Sequence, residues 1–207
     1  MMIIEIIGPP GIGKSYYGSK ILEFNNEIYS DTDIRNELSN IKKIIISIKV
    51  IIRFISTVSF YKLILWKNNQ SYFRSLLNKL IYLEFAVSNK KTYLPDEGLI
   101  SINLSIKTFF NKEIFLNNNL FRNDYYKIII LELNHNKNIE RLSNRPYPPT
   151  WELFEIGNNY DEIIEEYKKN IQKFIEQIDS GNISSLNLND YSSNNQIVEK
   201  LNTLIEN

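Results

Sequence analysis

The 207-residue chain has no cysteine and a single histidine, His135. The first absence excludes disulfides, thiol nucleophiles and cysteine-bearing metal centres. The second leaves a Ser-His-Asp triad only His135 to use, and no nucleophile motif stands near it. Excess charge is missing as well. The 24 Lys and Arg residues balance 24 Asp and Glu, whereas a general nucleic-acid binder carries a basic surplus, so no nucleic-acid partner is expected. No repeat, linker or low-complexity block divides the sequence, and its length suffices for one core; a single domain over 1–207 is the expectation. Apolar residues begin a strand pattern within two positions of Met1. That leaves no room for a signal peptide and makes a cytoplasmic location the default.

Glycine is scarce but unevenly placed. Three of the seven glycines fall within Gly8-Pro9-Pro10-Gly11-Ile12-Gly13-Lys14-Ser15, directly after the apolar run Met2–Ile7. This is G-x-x-x-x-G-K-[ST], the Walker A phosphate-binding pattern, which arises by chance in about one chain of this length in a hundred. Glycines let backbone N–H groups turn inward around an anion, and the helix that follows presents its positive end to it. The amides and side chains of Gly8, Gly11, Ile12, Gly13, Lys14, Ser15 and Tyr16 are therefore the candidate nucleotide contacts. Lys14 is placed to reach the β- and γ-phosphates and the Ser15 hydroxyl to ligate Mg²⁺. The expected cofactors are ATP and Mg²⁺.

Uninterrupted apolar runs are absent where one is most nearly written. In residues 41–66 an apolar segment is broken by Lys49, Arg53 and Lys62, each expensive at mid-bilayer, so no transmembrane segment is expected. Lys49, Arg53 and Ser56 fall at i, i+4 and i+7, one polar stripe on an otherwise apolar helix. A largely buried helix with that stripe at the surface is one reading. A substrate-facing cationic stripe with Arg53 at its centre, a homodimer surface through helix 41–66 and a membrane-surface helix are the others. A further helix is expected over 70–88, where Phe73, Leu76, Leu77, Leu80, Ile81, Leu83 and Val87 recur at helical spacing.

The remaining chemistry is carried by strand ends, where ligands of open parallel sheets sit. Glu27–Asp31 reads as a second strand ending in Asp31-Thr32-Asp33. Asp31 is a candidate general base or outer-shell Mg²⁺ acid and Asp33 a candidate substrate-holding acid; helix capping is the alternative for both. Lys90–Gly98 reads as a third strand closing on Asp96-Glu97-Gly98. Asp96 takes the Walker B position that holds Mg²⁺ through water, and Glu97 is a second acid able to act on substrate or water. Tyr125–Leu133 is a buried strand, followed by Arg141 and Arg145 at i, i+4 on a short helix. Two guanidiniums on one face can clamp a transferring phosphoryl group. Pro146–Trp151 reads as a stiff hinge and His135 as a loop residue. A guanine-reading Asn/Thr-Lys-x-Asp motif is missing: Asn134-His135-Asn136-Lys137-Asn138 stands after the fourth strand.

This order of strands, phosphate loop, acids and Arg-x-x-x-Arg resembles the P-loop small-molecule kinases over nearly the whole chain. The segment from Ile130 to Arg145 looks like the strand and lid of thymidylate-kinase-like proteins, and the pair Asp31 and Asp33 is similar to that of shikimate and gluconate kinases. The resemblance implies a three-layer α/β P-loop NTPase fold, a parallel five-stranded sheet flanked by helices. A helical substrate-side insert over about 38–88 and an Arg-bearing lid over about 138–157 would complete it. It also implies transfer of the γ-phosphoryl group of ATP to a small-molecule acceptor (a nucleoside, nucleotide, sugar or hydroxy acid). A regulatory ATPase or nucleotide switch without an acceptor is the alternative.

Overall fold

The computed structural model describes residues 1–57, 70–110, 125–144, 159–177 and 182–206, with positions 53–57, 70–73 and 109–110 described by backbone alone. The strands are β1 (Ile3–Ile7), β2 (Ile28–Tyr29), β3 (Thr92–Tyr93), β4 (Tyr126–Glu132) and β5 (Ile183–Asn187). The helices are α1 (Lys14–Phe24), α2 (Asp31–Glu37), α3 (Asn40–Thr57), α4 (Gln70–Ser88), α5 (Leu99–Phe110), α6 (His135–Ser143), α7 (Tyr160–Gln177) and α8 (Asn194–Glu206). The sheet runs β2-β3-β1-β4-β5 with every pairing parallel, as expected from the sequence. Both central strands are predominantly apolar because both faces are covered.

Alternation along β1 divides the core in two. Ile3 and Ile7 join Ile128 and Ile130 in a cluster that reaches α4, α5 and α7 through Phe85, Ile102 and Tyr167. Ile4 and Ile6 join Ile129 and Leu131 in a second cluster closed by Ile21 of α1 and Leu201 of α8. Each fully buried isoleucine contributes roughly 2 kcal/mol.

One charge interrupts the first face. Glu5, in the middle of β1, is 1% exposed. Its carboxylate accepts from the Ser101 and Ile100 amides at 2.7 and 3.2 Å and from the Tyr126 hydroxyl at 2.5 Å. Burial raises its pKa, and these donors pull it back. The amides are unpaired donors of the first turn of α5, so a strand carboxylate takes the place of a local cap. Gly98 makes this approach feasible: a Cβ there would lie 2.0 Å from the Glu5 carboxyl carbon.

The apolar segment over 41–66 departs from expectation. The described helix ends at Thr57, and 58–66 lie outside the described residues. Only Val50 is buried, with Ile46 packed against the core, while Ile41, Ile44, Ile45, Ile48, Ile51 and Ile52 are exposed. The largely buried helix is thus not found among the described side chains. The possible homodimer through helix 41–66 is corrected as well: among the described residues no helix is long and apolar enough to cross a membrane or to mediate a membrane-associated homodimer. Arg53 lies on α3, and its side chain is outside the described residues.

The cramped approach at Gly98 gives a stability test. Gly98→Ala should lower unfolding free energy by about 2 kcal/mol or more through overpacking, read as a fall in urea midpoint at constant slope. An unchanged midpoint would show that Glu5 can yield without loss.

Candidate active site

Parallel pairing brings the carboxyl ends of β1, β3 and β4 to one edge, where Gly8, Pro95 and Leu133 leave the sheet. Between β1 and α1 the chain turns through Gly11 at φ 84° and Gly13 at φ 103°. Both angles lie in the left-handed region that side chains disfavour, so this turn requires glycine where the Walker A pattern places it. Helix α1 then begins at Lys14. The Lys14 ammonium donates back to the Gly8 and Pro9 carbonyls at 2.7 and 3.2 Å and stands 5.7 Å from the Tyr167 ring centre.

Ser15, Lys14 and Asp96 line one cavity of about 100 Å³ between α1 and the end of β3. A hydroxyl and a carboxylate facing one space fit a Mg²⁺ ion that keeps most of its waters. No cluster of three His, Cys, Asp or Glu residues exists among the described residues. The Asp96 pKa is raised by desolvation and by neighbouring Asp31, and is pulled down by Lys79 and Arg35. Glu97 reaches solvent, yet the protein mass around it raises its pKa against the pull of Lys14 and Lys79. Tyr16 is exposed and packs edge-on against Tyr17.

The two acids at the end of β2 have different surroundings. Asp31 is 8% exposed. One of its oxygens accepts from the Lys79 ammonium of α4 and the other from the Tyr93 hydroxyl of β3, so it ties three elements together. Asp33 instead completes a capping box: its carboxylate accepts from the Ser30 backbone N–H at 2.8 Å and the Ser30 hydroxyl at 2.6 Å. Those bonds lower its pKa. The capping alternative thus describes Asp33, with Ser30 rather than an aspartate as the N-cap.

On the opposite side, α6 leans on the loop. Arg141 donates to the Ile12 carbonyl at 3.1 Å and sits beside Tyr17, whose pKa is raised by burial and lowered by that guanidinium. The helix ends at Ser143, and Arg145, Pro146–Trp151 and most of the expected lid lie outside the described residues. His135 is not a loop residue. It opens α6 behind the N-cap Asn134 and pairs with Asp161 at the start of α7.

Neither the protein-family models nor the curated proteins give a match. Solved structures do. The chain is similar to deoxyadenosine kinase from M. mycoides with products dCMP and a flexible dCDP bound, with a TM-score of 0.57, 20% identity and 100% of both chains covered. It is similar to YorR protein from Bacillus subtilis in complex with phosphorylated GDP, at TM-score 0.55 and 16% identity, over 99% of this chain and 96% of that one. Shikimate kinase from Bacteroides thetaiotaomicron matches at TM-score 0.52 and 17% identity, over 100% of this chain and 99% of that one. The fold is that of the P-loop NTPases. What the chain shares with it is the parallel five-stranded sheet flanked by helices in three layers.

Sequence reasoning missed Lys79, Tyr93 and Asn138. Lys79 had a signal: it shares a helical row with Leu76 and Leu83, and a lone charge on an apolar face marks a buried partner. Asn138 of α6 is fully buried against Gly11, and nothing in its spacing distinguished it from the polar residues around it.

The Asp31–Lys79 pair generates a test. Lys79→Met leaves a buried carboxylate uncompensated and should cost about 3 kcal/mol of stability, whereas Lys79→Met combined with Asp31→Asn should recover much of it. Chemical denaturation of both variants checks this; equal losses would show that the pair is not coupled.

Proposed function

We propose that this protein is an ATP-dependent kinase that transfers the γ-phosphoryl group to a small-molecule acceptor. The observation that carries the reading is the convergence, at one sheet edge, of the Gly11–Gly13 turn, Lys14, Ser15, the acids Asp96 and Glu97, and Arg141. In this reading the chain is one domain, with 38–88 as the acceptor-side insert and 138–157 as the lid.

Bound MgATP would supply the phosphoryl group and the divalent charge that offsets its oxygens. The loop amides and the Lys14 ammonium hold the phosphates, which requires Lys14 to leave the Gly8 and Pro9 carbonyls. Ser15 and Asp96 are the residues that hold Mg²⁺, directly and through water. Arg141, already against the loop backbone, provides a fixed cation for charge developing on the transferring group. Arg145 serves the same end from the lid, and Arg53 and Asp33 remain candidates for the acceptor side.

Asp31 and Glu97 are the two candidates for the base. Both oxygens of Asp31 are engaged and little of it is accessible, so its part is to anchor the cleft. Glu97 is accessible, near Lys14 and raised in pKa, which suits a group that must take a proton from an acceptor hydroxyl. If the acceptor is itself a phosphate, Glu97 positions it and no base is required.

The reading is tested by following ADP and phosphorylated product by mass over nucleosides, nucleoside monophosphates, sugars and hydroxy acids. A product from one acceptor class supports it; ADP with free phosphate, indifferent to acceptor, replaces it with an ATPase. Lys14→Ala should reduce turnover by ~10²-fold or more with the fold intact, and Arg141→Ala should lower turnover more than ATP affinity. With a hydroxyl acceptor, the active Glu97 is deprotonated. Activity should then fall as pH drops through its raised pKa, and Glu97→Gln should abolish that acidic limb. A wild-type-like pH profile in Glu97→Gln would remove Glu97 from the role.

A further inference from the structure

Asn138 stands out among the buried polar groups. It is 0% exposed, and neither its side-chain oxygen nor its nitrogen has a hydrogen-bond partner among the described residues. A buried amide in that state costs about 1–3 kcal/mol, and an apolar residue would fill the position without that loss. Its oxygen lies 3.2 Å from where a Cβ of Gly11 would sit, so the backbone beside it is the left-handed turn of the phosphate loop. One helical turn on, Leu142 packs against the same glycine and Arg141 bonds the Ile12 carbonyl.

The loop has a complementary shortage in its other state. The Gly8 and Pro9 carbonyls are both served by Lys14, the side chain that an anion in the loop would draw away. Once Lys14 turns to the anion, the Gly8 carbonyl loses its Lys14 donor and the Pro9 carbonyl keeps the Ile12 N–H at 3.4 Å, while a buried amide donor waits on the adjoining helix. Given the phosphate-loop reading above, on which this rests, we infer that Asn138 is a positioning residue whose side-chain amide hydrogen-bonds the loop backbone when nucleotide is bound, stabilising the bound loop at the expense of the unliganded one.

The test uses the full chain and two measurements, the unfolding midpoint without nucleotide and MgATP affinity by calorimetry, made on wild type and on two variants. Asn138→Ala removes the unpaired amide, so its midpoint without nucleotide should equal or exceed that of wild type, while MgATP binding weakens about 3- to 10-fold, the loss of roughly one hydrogen bond. Asn138→Ser keeps a donor and should recover part of the affinity. A purely structural Asn138 would give the opposite pattern: a lower midpoint and unchanged affinity in Asn138→Ala, which overturns the inference. Unchanged affinity with an unchanged midpoint overturns it too, as does an Asn138→Ala chain that fails to fold together with an Asn138→Ser chain of wild-type affinity and lower midpoint. If wild type itself does not bind MgATP, the nucleotide reading falls and this inference with it, an outcome separable from the others because it requires no variant.

Discussion

The carboxylate of Glu5 holds the site to the sheet. A charged group in the centre of a buried strand would ordinarily be a defect, since desolvating it costs far more than any single hydrogen bond returns. Here three donors from two elements converge on it, and two of them are amides that begin α5. The consequence reaches the chemistry. Residues 96–98 are strung between β3 and the first turn of α5, so fixing that turn against β1 fixes Asp96 and Glu97 relative to the loop that β1 feeds. Were Glu5 an isoleucine like its neighbours, the sheet would still form, but the acid-bearing turn would lose its anchor.

From that anchor the two flanks of the cleft differ in how completely they are satisfied. On the acid side, Asp31 has Lys79 and Tyr93, Asp33 has Ser30, and Arg35 donates to the Tyr82 hydroxyl at 3.3 Å. The Asp31 and Arg35 contacts cross from α2 to α4 and β3, whereas that of Asp33 stays within the first turn of α2. On the α6 side, the described contacts to the loop include the Arg141 bond to the Ile12 carbonyl, the packing of Leu142 on Gly11 and the Asn138 amide, which has no hydrogen-bond partner among the described residues.

Much of this was legible in the chain because it is written in local terms. The glycine turn is demanded by backbone geometry at Gly11 and Gly13, and the four residues Gly, Gly, Lys and Ser leave few other readings. The central strands are long and apolar, and they form where the pattern places them. Two short strands were harder to read. β2 and β3 have two residues each, too few for any period; β3 pairs with β1, and β2 pairs with β3 at the edge of the sheet. The acids separated along the same line. Asp33 is explained by a neighbour three positions away, whereas the partners of Asp31 lie 48 and 62 residues off, and no spacing rule links an aspartate to a lysine two helices later. Helix α3 misled for a different reason. Periodicity reports which residues share a face, not whether a partner covers that face, and the exposed isoleucines of α3 form a stripe that the described part of the fold does not cover.

The contrast between Glu5 and Asn138 shows how such a fold can allot its polar groups. Both are buried, both sit within one element of the phosphate loop, and burial without hydrogen bonds penalises both. The charged group, whose penalty would be largest, is fully served in the state described. The neutral one, whose penalty is small enough to be tolerated in a marginally stable protein, is left unserved. A stabilising bond that exists only in a second state must come from a group that is affordable to leave unpaired in the first, and a carboxamide meets that condition where a carboxylate does not. Asn138 lies against Gly11, in the same loop whose Gly8 and Pro9 carbonyls take the Lys14 donor, and that is where such a group has an effect.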